Sequence, residues 1–258
     1  MKIIGILNIT PDSCSDGGFY LEPRKAIAHA EQMLQEGADY IDIGGESMRP
    51  GAKAISPEEE LHRVLPVIRE LLQNNIRNLS IDTRNYLTAK TCLNLGVSWL
   101  NDVSALTHDA QMLSIAKDFD QLTLMHMRGA PENMQSNLEY SDLMIDIKNY
   151  LANRIEEAVC AGVSRPQIRI DPGIGFGKST AQCVEILNRL EEFRELAPVY
   201  VGPSRKNFIG DLTGTPTYSS ERDYGTVGAV FKAAQKGASF IRVHNVKATS
   251  QAWKVFRA

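Results

Sequence analysis

At 258 residues, with 43% hydrophobic and 23% charged side chains, the chain can bury one large core and is too apolar for disorder. Its net charge of -3 and the lack of any basic run argue against a nucleic-acid surface. No apolar stretch approaches the roughly 18 residues of a membrane span, and a strand-like run from Ile3 leaves no room for a secretory leader, so a cytoplasmic protein is expected.

Short apolar runs ending in a polar residue recur along the chain, at 3–8, 40–44, 79–82, 99–102, 122–126, 168–171, 199–202 and 240–244. Between them lie stretches with apolar residues at helical spacing, such as Ala26, Ala30, Met33 and Leu34. Strands alternating with helices imply right-handed crossovers and a parallel sheet. Eight such units close a (β/α)8 barrel, so the expected architecture is a single α/β TIM barrel over residues 1–258, preferred to a doubly wound open sheet. The longest connections are expected after strands 1, 2 and 7, at 9–21, 46–57 and 203–220. Each is rich in Gly, Pro, Ser or Asp and reads as a mobile surface loop.

Cys14, Cys92, Cys160 and Cys183 lie far apart without metal-ligand spacing, which suits free thiols in a reducing cytosol. Cys92 and Cys160 read as packing residues on helices.

The stretch QIRIDPGIGFGK, from Gln167, is the most informative. Its alternating strand stops at Asp171, Pro172 and Gly173 forbid continuation, and Gly175 and Gly177 follow before a helical pattern from Thr180. A carboxylate is thus held at a strand end, over a loop small enough for a flat ligand to approach its backbone. The spacing is not the dinucleotide fingerprint.

On a closed barrel the strand ends form one ring, here collecting Asn8, Asp42, Asp82, Asn101, His126, Asp171, Lys206, Arg242 and His244. So many buried charges are costly unless paired or used. Asp82, Asn101 and Asp171 offer carboxylate and amide groups, and a carboxylate can accept two parallel hydrogen bonds from an aminopyrimidinone ring. Asn8 offers an amide oxygen to a metal, while Arg49, Arg242 and His244 are donors for an anion. Lys206 supplies a point charge between the halves. His126, between two methionines, reads as a core histidine as readily as a ligand.

At these residues the chain resembles the dihydropteroate synthase family. The motifs are GILNITPDSCSDGG from Gly5, IDIGGESMRPGA from Ile41, LMHMRGAPENMQ from Leu124, DPGIGFGK from Asp171, GPSRKNFIG from Gly202 and IRVHNV from Ile241. The resemblance implies a Mg2+-dependent homodimer that condenses 6-hydroxymethyl-7,8-dihydropterin diphosphate with p-aminobenzoate. It further implies that Asp82, Asn101, Asp171 and Lys206 bind the pterin, walled by Val103, Met125, Phe176 and Gly202. Asn8 would hold the metal and, with Arg49, Arg242 and His244, the diphosphate. Cys14, Met48, Pro50 and Ser204 would contact p-aminobenzoate.

The chain departs from the family pattern in several places. Cys14 stands where the family usually has Phe, Met48 where it has Thr, and Arg84-Asn85 where it has Ser-Lys. Ile174 replaces Phe and Asn245 replaces Asp. With Cys14 and Met48 in the two loops that the family closes over p-aminobenzoate, a weakened acceptor site is expected. Competing readings are a non-catalytic pterin-binding paralogue, a pterin-dependent methyltransferase, and a Schiff-base enzyme with Lys206 as nucleophile.

Overall fold

The structure, a computed structural model, describes residues 1–10, 22–215 and 220–258. Eight parallel strands are β1 (Lys2–Asn8), β2 (Tyr40–Gly44), β3 (Leu79–Asp82), β4 (Trp99–Asp102), β5 (Gln121–Met125), β6 (Ile168–Asp171), β7 (Tyr200–Val201) and β8 (Phe240–Val243). Each pairs with its sequence neighbour from β1 to β6, β1 also pairs with β8, and β8 pairs with β7. A single bridge, Ile170 to Val199, joins β6 to the start of β7, so the sheet closes nearly completely into a (β/α)8 barrel.

The helices are α1 (Pro23–Glu36), α2 (Pro57–Gln73), α3 (Tyr86–Leu95), α4 (Met112–Ile115), α5 (Leu143–Cys160), α6 (Thr180–Asn188), α7 (Asn207–Thr213), α8 (Asp223–Gln235) and α9 (Val246–Phe256). None is long and apolar enough to cross a membrane among the described residues. Their starts follow from local chemistry. The Ser56 hydroxyl accepts from Glu59 N–H with Pro57 at the first helical position, and Ser179 and Gln182 form a reciprocal capping box on α6.

Strand residues of one parity, including Ile41, Ile43, Leu79, Ile81, Ile168 and Ile170, join Ala30, Met33, Val64 and Ile68 of the helices in one buried core. Gly5 is needed there, because a Cβ would lie 2.7 Å from the Met33 sulfur. The other parity fills the barrel. At its base Trp99 sits edge-on to Tyr40, Phe240 and Tyr200, with ring centroids 4.9, 5.2 and 5.9 Å away. Its indole N–H donates to Thr123 Oγ1 at 2.8 Å. This aromatic plug closes the bottom, and the polar residues lie above it.

Three expectations need correction. Residues 203–220 are not one long loop, because α7 occupies Asn207–Thr213 and buries Phe208 and Ile209. Gly210 lets it seat, since a Cβ there would meet the Arg222 guanidinium at 2.1 Å. A long connection not singled out, 126–142, follows β5 and exceeds the 45–56 connection after β2. Cys92 is buried as expected, but Cys160 is exposed. It ends α5 two residues after the buried Ala158, out of phase with the inward face.

Glu60 on α2 is fully buried, accepting from Thr83 Oγ1 at 2.8 Å and Asn85 Nδ2 at 3.0 Å. These donors are neutral, and burial raises its pKa above the ordinary carboxylate value. A carboxyl raised in the fold contributes stability below its unfolded pKa and loses it as pH rises through the folded one. Glu60→Gln keeps an acceptor oxygen and removes the charge. It is expected to gain about 1–3 kcal/mol at neutral pH. The gain in melting temperature should grow between pH 4 and pH 8, and a flat or shrinking difference would contradict the account.

Candidate active site

β6 ends at Asp171, 6% exposed, whose Oδ1 accepts the Gly173 N–H at 2.7 Å. Gly173 has φ +69°, and a Cβ on it would stand 1.9 Å from the His126 carbonyl oxygen. The glycine loop therefore lies directly on the start of the 126–142 connection. Lys178 fastens the two, with Nζ 2.9 Å from both His126 Nδ1 and the Phe176 carbonyl oxygen. Burial brings Lys178 down to about 7 and His126 down to about 2, so the imidazole is a neutral acceptor. His126 is a core residue, edge-on to Tyr150.

Lys206 reaches the same loop from the other side. Its Nζ donates to the Ile174 carbonyl oxygen at 2.5 Å and stands 3.9 Å from the Phe176 ring centroid. Arg205, at φ +57°, turns the chain so that the two adjacent cations part. Arg205 forks onto Asp223 at 2.7 and 2.9 Å, and both Arg205 and Lys206 line the cavity.

Across the mouth, Arg242 spans two carboxylates, with Nε to Asp42 Oδ2 at 2.5 Å and Nη2 to Asp82 Oδ2 at 2.8 Å. Asn101 Nδ2 donates to the same Asp42 oxygen at 3.0 Å. Burial pushes Asp82 up to about 7, against the pull of Arg242 and with repulsion from Asp42. Asp171 is likewise raised by burial, with Lys206 and the Gly173 N–H opposing. Such under-solvated acceptors suit a ligand that brings its own N–H donors.

One hydroxyl holds His244 at two points. Ser204 Oγ lies 2.8 Å from its Nδ1 and accepts its backbone N–H at 3.1 Å. Asn8 closes β1, and Met48, Arg49 and Pro50 come from the 45–56 connection.

One cavity of about 350 Å³ lies among these groups, although Asp42, His126 and Asp223 do not themselves line it. It gathers Asn8, Met48, Arg49, Pro50, Asp82, Asn101, Val103 and Met125, together with Asp171, Phe176, Gly202, Ser204, Lys206, Arg242 and His244. Cys14 lies outside the described residues. Two placements differ in emphasis from the resemblance. Arg242 is engaged with the carboxylates of Asp42 and Asp82, and the Ser204 hydroxyl with His244. Lys178, Cys183 and Tyr200 also line the cavity and were not singled out as site residues. Lys178 stood at the end of the glycine stretch, but nothing in the sequence signalled its burial.

Buried carboxylates and basic side chains thus share one cavity at the C-terminal mouth of a (β/α)8 barrel. The pterin binding enzyme family model matches residues 4–244. The dihydropteroate synthase of Neisseria meningitidis serogroup C is 43% identical over 262 residues, covering 100% of this chain and 92% of that protein. The Yersinia pestis dihydropteroate synthase, solved with a sulfonamide drug complex, superposes with a TM-score of 0.95 at 40% identity. That match covers 99% of this chain and 93% of the other. The Xanthomonas albilineans enzyme in complex with 7,8-dihydropteroate gives a TM-score of 0.86 at 39% identity, covering 99% and 92%. The chain belongs to the pterin binding enzyme family, among its dihydropteroate synthases.

Proposed function

We propose that the chain condenses 6-hydroxymethyl-7,8-dihydropterin diphosphate with p-aminobenzoate, giving 7,8-dihydropteroate and diphosphate. The observation that carries this is one cavity lined both by buried Asp171, Asp82 and Asn101 and by the basic side chains of Arg49 and His244. The carboxylates accept the ring N–H and amino donors of the pterin, and Phe176 and Met125 wall its faces. Arg49 and His244 bind the diphosphate. The bond from the exocyclic methylene to the diphosphate oxygen breaks with its electrons on oxygen. The aniline nitrogen then bonds to that carbon and loses a proton to solvent. The protein's task is to stabilise the leaving group and align the amine, with no covalent nucleophile.

Mg2+ fits this donor set. Among the described residues no three His, Cys, Asp or Glu side chains converge to hold a metal unaided. Mg2+ characteristically takes one or two protein oxygens beside substrate phosphates and waters, which a single Asn8 amide oxygen can supply. Bound there, it would offset charge on the departing diphosphate.

An assay for diphosphate release should show dependence on both p-aminobenzoate and Mg2+. Tight pterin diphosphate binding with no dihydropteroate formed would instead establish a non-catalytic binder. A further expectation concerns order. Met48, Arg49 and Pro50 stand on a loop, and a first ligand that fixes them lowers the cost of binding the second. p-Aminobenzoate should bind detectably only after pterin diphosphate with Mg2+. Equally tight binding to the free protein would refute that order.

A homodimer is the proposed assembly, supported by Leu212, Tyr224, Val255 and Phe256, exposed large apolar side chains on α7, α8 and α9. Light scattering at micromolar concentration tests it. The free thiols Cys92, Cys160 and Cys183 support a cytoplasmic setting.

A further inference from the structure

We propose that Arg84 is a positioning residue that sets the loop on which the amine substrate docks. The proposal deepens the reading of that loop as the p-aminobenzoate side. Arg84 follows β3 by two residues, is 4% exposed and does not line the cavity. Its Nε and Nη2 fork onto Glu46, at 3.0 Å to Oε2 and 2.8 Å to Oε1. Glu46, itself 7% exposed, stands at the root of the 45–56 connection and is the first of the run Glu46, Ser47, Met48, Arg49 and Pro50 in the cavity wall.

The same carboxylate accepts the Ile55 N–H at 3.4 Å, so it draws together the two ends of that connection just before α2 begins. Arg63 adds a bond to the Gly45 carbonyl oxygen at 2.9 Å. The loop also leans on its neighbour, with Gly51 N–H donating to the Pro131 carbonyl oxygen at 2.9 Å. Arg84 Nη2 lies 4.0 Å from Glu132 on that neighbour. One buried guanidinium thus fixes the base of the β2 loop and touches the β5 loop against which its tip rests. A planar fork defines the orientation of its carboxylate, which an ammonium does not. Removing either partner strands the other charge in a buried place, and the loop root is what can move to relieve it.

The test compares Arg84→Gln, Arg84→Lys and Glu46→Gln with the natural protein. The Michaelis constant for p-aminobenzoate should rise about tenfold in Arg84→Gln, equivalent to about 1.4 kcal/mol. Arg84→Lys should recover part of it, and calorimetric affinity for the pterin should stay within about threefold. Equal losses for both substrates, or no change for p-aminobenzoate, would overturn the proposal. If Arg84→Gln does not fold, the other two variants carry the same comparison. Hydrogen exchange over residues 45–56 stands apart from turnover. Faster exchange confined to that loop is expected, and unchanged exchange overturns the role even if the natural protein forms no dihydropteroate.

Discussion

Asp171→Asn is expected to weaken pterin binding by about 2–5 kcal/mol, because paired ligand donors lose a charged acceptor. The substitution isolates charge from shape. Asn can still accept the Gly173 N–H that now ends on Oδ1 at 2.7 Å, so the loop keeps its anchor. Burial already works against the Asp171 charge, so its removal should leave the fold as stable as before. Acidification should mimic the variant. Binding needs the ionised carboxylate, and burial raises its pKa, so affinity should fall with pH before an exposed Asp would titrate. Calorimetry showing equal affinity for both proteins would remove Asp171 from the site.

Gly173→Ala is expected to be worse, for a steric reason. Its Cβ would stand 1.9 Å from the His126 carbonyl oxygen, at a backbone φ of +69°. A left-handed non-glycine residue costs of order 1–3 kcal/mol, and overpacking typically another 1–3. The loop must then lift from the β5 connection, carrying the N–H that orients Asp171 and the Phe176 carbonyl that holds Lys178. We expect a loss of about 2–4 kcal/mol in stability together with loss of measurable pterin binding. A melting temperature and affinity equal to those of the natural protein would show that this contact does not fix the loop.

All eight strands were legible because each is a short apolar run that stops at a polar residue or, in β2 and β7, at glycine. Asp82, Asn101 and Asp171 announce both the strand and the site. What stayed hidden depends on tertiary placement. Phe208 and Ile209 look like part of a Gly- and Ser-rich connection until they are seen buried against the barrel. Residues 126–142 lack the glycine density that drew attention to the other loops. Lys178 resembles an ordinary cation after a turn, and only its enclosure with His126 gives it a structural part. Arg84 and Asn85 were visible as departures, but their partners Glu46 and Glu60 lie 38 and 25 residues away. No local pattern links such pairs. The division of labour between Arg242 and His244 was equally invisible, since both are simply donors at the end of β8.

The pairing of β1 with both β2 and β8 has a consequence during synthesis. The strand made first must wait for the strand made last before its second edge is covered. At 5–20 residues per second, roughly ten to fifty seconds separate their emergence from the ribosome. Throughout that interval the nascent chain carries an open, strongly apolar ribbon, Lys2–Asn8, able to recruit any extended neighbour. Translation pausing before Phe240, or a shortage of chaperone on the emerging polypeptide, should therefore harm yield far more than either harms the finished protein.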